Sequence, residues 1–249
     1  MSTLNALLIS TIAGMSTLLG GIVVFFNIKQ EKINKFISWC LAFSIAIMIG
    51  ISITDLIPSS FFHIMLNYKF AYGITITLFS FAIGIISVIF INHLMDNKQN
   101  NSLYKLGILS MIALMLHNFP EGIATFIGSV KDIDLGLKLS LAIMLHNIPE
   151  GISIAVPIYY ATGSRKKAFY NTFLSGLAEP LGAFLAFIFL KKYVTDLMIS
   201  IVLLFVAGIM ITLSIHEMLP KAISYKEHKF IYIGLIFGII LILINHFLF

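Results

Sequence analysis

Charge is what this chain has least of. Aspartate, glutamate, lysine and arginine together supply 11% of its 249 residues, against 59% hydrophobic residues. A water-soluble domain of this length leaves too much surface exposed to hide that much apolar area, so the expected solvent is lipid. Cysteine is nearly absent as well. Cys40 stands alone, and its reading is a packed thiol in an apolar helix. The apolar start at Leu4 lacks a basic leader and a cleavage site, so it is expected to be a first membrane helix rather than a removed signal. No polar stretch is long enough for a second domain and there is no low-complexity tail, so 1–249 is expected to form one transmembrane domain. The net charge of +5 is spread through short loops, which speaks for membrane orientation and against nucleic acid as a partner.

What is there, in abundance, is long apolar runs. Eight stretches reach the roughly 20 residues needed to cross a bilayer: 4–26, 37–58, 70–91, 104–127, 136–160, 168–190, 197–219 and 230–248. The expected fold class is therefore an all-α membrane protein with eight transmembrane helices. Basic residues concentrate on the cytoplasmic side of multi-pass proteins. With the N-terminus outside, the inner loops hold Lys29, Lys32, Lys35, Lys98, Lys105, Arg165, Lys166, Lys167, Lys221, Lys226 and Lys229. The outer loops hold only Lys69, Lys131, Lys138, Lys191 and Lys192. That bias places both termini outside a cell membrane, and the composition suggests a bacterial one.

Two motifs occur twice. MLHNFPEG at 115–122 returns as MLHNIPEG at 144–151, and IMIGISITDLIP at 47–58 is echoed by IMITLSIHEMLP at 209–220. An odd number of crossings separates the members of each pair, so they run in opposite directions. Inverted repeats of this kind are common in transporters, with the binding site at the repeat interface.

The repeats carry the rare polar residues. Asp55, Glu121, Glu150, Glu179 and Glu217 lie in apolar segments, where a charge costs on the order of 3 kcal/mol on insertion scales. Asp55 and Glu217 sit near the ends of their segments, where a merely solvated or helix-end residue is as open a reading as a functional one. Glu121, Glu150 and Glu179 lie deeper. No lysine or arginine stands near them on helices four to six, and a bound cation would supply the missing charge. On a helix, His117 and Glu121 differ by about 40° and Asn118 lies about 60° beyond Glu121, so the carboxylate falls between imidazole and amide. His146, Asn147 and Glu150 repeat the arrangement. Imidazole suits zinc and similar ions, while carboxylate and amide oxygens accept several divalent cations. Pro120, Pro149 and Pro180 are expected to kink their helices and free carbonyls, which membranes tolerate along a cavity. Gly122 and Gly151 would permit close helix approach.

At these residues the chain resembles the Zrt/Irt-like (ZIP) metal transporters, specifically their bacterial zinc-uptake branch. The likeness covers the whole chain in helix number and is most specific at HNFPEG, at HNIPEG and at SGLAEPLGA, 175–183. It implies an eight-helix bundle with helices four and five at the centre of the pathway, and a binuclear site. Glu121, His146, Glu150 and His117 would serve one metal; Asn118, Glu121, Asn147, Glu150 and Glu179 would serve the other. HEMLP at 216–220 looks like the family's cytoplasmic exit, which would place His216 and Glu217 at the inner mouth. In one respect the chain departs from many relatives: the stretch 92–103 has only His93 where they carry a histidine-rich loop.

The expected function is uptake of zinc into the cytoplasm, with iron, manganese, cobalt and cadmium open as further substrates. The metal is cargo, and no catalytic cofactor is expected. The alternative is an intramembrane metal-dependent hydrolase using the same ligands to activate water. It lacks the H-E-x-x-H and G-x-S-x-G signatures and a carboxylate to spare as base. Expected partners are divalent metal ions and the lipid bilayer, with a homodimer left open.

Overall fold

The computed structural model describes residues 3–96, 102–131, 133–190 and 195–248. Among these residues the chain is helical throughout, without a strand. Eight helical spans follow one another: α1 (Thr3–Phe25), α2 (Gln30–Asn67), α3 (Phe70–Asp96), α4 (Ser102–Lys131), α5 (Ile133–Thr162), α6 (Arg165–Ile188), α7 (Asp196–Ser224) and α8 (His228–Leu248). The first seven are long and apolar enough to cross a bilayer. The eighth has 21 residues, about 31 Å of helix, which matches a hydrocarbon core of about 30 Å. The chain is a multi-pass membrane protein. Its outward faces carry Leu78, Phe79 and Phe90 on α3 and Tyr232 and Phe237 on α8, all more than half exposed, as a lipid-facing surface requires.

Helix packing obeys the inverted repeat. The helices α1, α4, α5 and α6 pack against one another in every combination. Around them, α3 packs on α7 and α8 packs on α2. Exchanging α1–α3 with α6–α8 and α4 with α5 maps this arrangement onto itself. The contact of α1 with α5 becomes that of α6 with α4, and α2 on α5 becomes α7 on α4. The glycines show why the match is close. The α6 backbone at Glu179 presses against Gly122, while the α1 backbone at Thr17 presses against Gly151; Gly182 and Gly20 make the reciprocal contacts with Phe119 and Ile148. No side chain fits between these backbones, so close approach is what Gly122 and Gly151 supply. The apolar core lies largely where the two halves meet, with Leu41, Met48, Leu114, Ile154, Ile158, Met210 and Leu213 fully buried.

Three expectations need correction. The second span does not end at Pro58. It opens into a single π-turn at Ser52–Leu56 and continues as helix from Ile57 to Asn67. The seventh does the same, with a π-turn at Ser214–Met218 followed by helix from Leu219 to Ser224. A proline cannot donate its backbone nitrogen to the carbonyl four residues back. One wider turn before the ring absorbs that loss, and the helix survives. Asp55 and Glu217 therefore stand on π-turns within their helices, not near helix ends. α4 and α5 run on as helix past Pro120 and Pro149, although neither proline has a backbone N–H to bond the carbonyl four residues back.

The loop side holding Arg165 is tied together. Its guanidinium donates to the Val24 carbonyl at 3.1 Å and to Asn27 Oδ1 at 2.6 Å, and it lies over the rings of Phe25 and Tyr159. Lys35 on α2 sits 5.7 Å from the ring of Phe230 on α8. Lys98, Lys191 and Lys192, along with part of the 92–103 stretch, lie outside the described residues.

Candidate metal centre

The two copies of the HNxPEG motif face each other. His117 is fully buried and His146 nearly so, with ring centroids 6.2 Å apart. Glu121 lies between them, its Oε1 3.2 Å from Nε2 of each histidine. Glu150 Oε1 lies 3.5 Å from His117 Nε2. Among the described residues, His117, Glu121 and His146 form a metal-competent group, with one ligand atom from each within 4.8 Å of the others. Glu150, fully buried, closes the same space.

Beside this cluster lie the amides. Asn147 Nδ2 donates to Glu179 Oε2 and to the Ala13 carbonyl, both at 3.0 Å. Asn118 Nδ2 donates to the Ser175 carbonyl at 3.3 Å. With the nitrogens committed to protein oxygens, the opposite amide oxygens remain acceptors. Asn118 Oδ1, Asn147 Oδ1, Glu121 Oε2, Glu179 Oε1 and both oxygens of Glu150 are buried without a hydrogen-bond donor. Buried acceptors are normally satisfied, and each one left bare costs about 1–3 kcal/mol, more when charged. Six bare oxygens in one place amount to a cradle for a positive ion, and the imidazoles favour a transition metal.

All seven central residues expected from the sequence thus come together: His117, Asn118 and Glu121 from α4; His146, Asn147 and Glu150 from α5; and Glu179 from α6. The outer three do not join them. Asp55 and His216 are exposed and Glu217 is half-buried, and none belongs to the metal-competent group.

Sequence reasoning missed the part played by α1. The carbonyl of Ala13 holds Asn147, and the opposite carbonyl, Ser175 on α6, holds Asn118. Ala13 and Ser175 occupy equivalent places in the inverted repeat. The trace in the sequence is faint: AGMSTLLGG at 13–21 and SGLAEPLGA at 175–183 share Gly14 with Gly176 and the Leu-Gly pair 19–20 with 181–182. Ser44 of α2 adds a bond to the Pro149 carbonyl at 2.8 Å, fixing α5 beside Glu150.

A bundle of apolar spans with histidine, carboxylate and amide groups buried together in its interior defines a polytopic membrane protein with a cluster able to hold a cation. The family described as ZIP zinc transporter matches residues 95–246. The chain is 35% identical to the zinc transporter ZupT of Clostridium perfringens, over 100% of this chain and 97% of that relative. It is 38% identical to the ZupT of Oceanobacillus iheyensis, over 97% of each. The ZupT of Chlorobium limicola is 40% identical, over 94% of this chain and 93% of its own length. The chain belongs to the ZIP zinc transporter family. It is accordingly a transporter and not an enzyme, which disposes of the hydrolase alternative.

Proposed function

We propose that this protein carries zinc into the cytoplasm through a binuclear centre formed by His117, Asn118, Glu121, His146, Asn147, Glu150 and Glu179. What carries the reading is the convergence of bare buried oxygens on a pair of histidines. Glu121 and Glu150 have histidine alone as an ion-pair partner among the described residues. Three carboxylates in lipid without lysine or arginine require a cation, and two divalent ions would more than balance them. Glu121 and Glu150 bridge the two positions, so an ion can pass between sites without giving up all its ligands at once. Iron, manganese, cobalt and cadmium are further candidate substrates for the same donor set.

The protein works in the cell membrane with both termini outside. This orientation places the end of the bundle tied by Arg165 at the cytoplasm. Asp55 then lies on the outer side of the centre and His216 with Glu217 on the inner side. A carboxylate in a low-dielectric funnel raises the local cation concentration, so Asp55 gathers ions and the inner pair receives them. The chain forms a single transporter domain, and a homodimer is compatible with its apolar outer faces.

Zinc uptake into proteoliposomes tests the reading. Glu150→Ala is expected to abolish uptake while the purified variant remains folded and inserted, because Glu150 serves both ions. Wild-type flux in this variant, at matched protein amount, would overturn the proposed centre.

A further inference from the structure

The inverted repeat pairs every proposed ligand with another ligand, save one. His117 matches His146, Asn118 matches Asn147 and Glu121 matches Glu150. Glu179 on α6 is matched by Thr17 on α1, and four contacts fix that pairing. The backbone at Glu179 presses on Gly122, and the backbone at Thr17 presses on Gly151, the repeat mate of Gly122. A methyl group on Gly14 would stand 2.7 Å from Glu179 Cβ and 2.8 Å from the Gly176 carbonyl oxygen; one on Gly176 would stand 3.2 Å from Thr17 Cβ and 2.8 Å from the Gly14 carbonyl oxygen.

Thr17 is also chemically unsettled. It is fully buried, and its hydroxyl has no hydrogen-bond partner. Threonines in helices usually donate to the carbonyl four residues back, as Thr11, Thr172 and Thr212 do here at 2.7–2.9 Å. For Thr17 that carbonyl is Ala13, which already accepts from Ser16 Oγ at 2.6 Å and from Asn147 at 3.0 Å. With the Ser16 backbone N–H also donating to it at 3.1 Å, that oxygen is crowded by three donors, and Thr17 makes no bond to it. On the matching side of the repeat, Asn147 grips Glu179. On this side, Asn118 Oδ1 and Thr17 Oγ1 are both buried and without a donor.

We propose that Thr17 is a further ligand of the same centre, a neutral hydroxyl oxygen acting with Asn118 on the side opposite Glu179. It rests on the metal centre proposed above. The consequence is an asymmetric charge: three carboxylates rather than the four that full symmetry would give. Ligand charge count sets how tightly a site of oxygen donors holds a divalent ion. The neutral hydroxyl keeps one ion loosely held, which suits a pathway that must release its cargo.

The test compares full-length wild-type protein with Thr17→Val, Thr17→Ser, Thr17→Glu and Glu179→Ala in zinc binding by calorimetry and in zinc uptake by proteoliposomes. Valine keeps the shape and removes the oxygen. It is expected to weaken zinc binding and raise the half-saturation concentration by about tenfold, the equivalent of about 1.4 kcal/mol, and serine is expected to rescue both. Glutamate at 17 has room beside Gly176, as Glu179 has beside Gly14, and is expected to tighten binding at least about tenfold while slowing uptake by a similar factor. If Thr17→Val and Thr17→Ser both match wild type in affinity and half-saturation while Glu179→Ala loses binding, Thr17 is no ligand and the centre stands without it. If wild-type protein binds no zinc, the centre itself is wrong and this inference falls with it. The valine–serine comparison decides the matter even if Thr17→Glu does not fold.

Discussion

Asn147 does two jobs with one nitrogen, holding Glu179 in place and fastening α5 to the Ala13 carbonyl of α1. Glu179 Oε2 has that amide as its donor, and losing a donor to a buried carboxylate costs about 1–3 kcal/mol or more. Asn147→Leu, close in size and unable to donate, is expected to lower the thermal unfolding temperature of the purified protein. Added zinc is expected to recover less of that loss than it stabilises wild type, since Asn147 Oδ1 is gone as well. An unfolding temperature equal to wild type, with and without zinc, would show that Asn147 neither positions Glu179 nor binds the ion. At this scale much was legible in the sequence. A duplicated H-N-x-P-E-G among apolar residues marks the cluster that the structure buries at the α4–α5 contact, because each polar residue is costly in lipid unless used. Thr17 and the Ala13 carbonyl were not legible, since a threonine costs little in an apolar helix and a backbone oxygen leaves no mark in the residue pattern.

Among the helices, the tightest constraints lie where backbone meets backbone. Gly122 touches the α6 carbonyl at Glu179, so Gly122→Ala forces α4 and α6 apart at the centre. Overpacking of this sort costs about 1–3 kcal/mol. The expected result is a lower unfolding temperature together with weaker zinc binding, because the shift moves Glu179 relative to Glu121. Unchanged zinc affinity would show that the helices part without disturbing the site. The π-turns belong to the same scale. The apolar stretches stop at Pro58 and just before Pro220, yet in the structure a wider turn that carries Asp55 or His216 and Glu217 lets each helix run on. Local patterns cannot foresee this. Whether a proline ends a helix or widens it depends on what the following residues pack against, here α7 for the continuation of α2. A π-turn also leaves its residues with looser backbone bonding, often at functional positions. Asp55→Asn is accordingly expected to raise the half-saturation concentration for external zinc several-fold at unchanged maximal flux, as initial uptake rates over a zinc titration will show. A change in maximal flux alone would place Asp55 elsewhere in the cycle.

For the molecule as a whole, eight crossings would put both termini on one side, and the basic loops predict which. Single cysteines at Lys69 and Ser164, introduced in a Cys40→Ser background, report the orientation through an impermeant thiol reagent applied to intact cells. Lys69→Cys is expected to be labelled and Ser164→Cys protected; the reverse pattern would invert the protein. Cys40 is a safe position to change, being buried at the α2 core without a sulfur partner. The eight-helix count was legible because apolar length is a strong signal. The exchange symmetry of α1 with α6 leaves only a few shared glycines and a leucine in the sequence and becomes plain in the three-dimensional packing.

The continuation of α2 past Pro58 has a consequence for the surrounding bilayer. Its 38 residues make about 57 Å of helix, against a hydrocarbon thickness of about 30 Å. Tilting alone would need roughly 58° to hide that length, beyond the range of up to about 40° found in membrane helices. Part of α2 must therefore stand clear of the acyl chains. Its last turns carry Phe62 and Leu66 at their surface, followed by Tyr68, and aromatic rings settle at the headgroup level. The end of α2 and the start of α3 are thus expected at the lipid–water boundary, where the thickness of the host membrane would set how far Asp55 stands from bulk water.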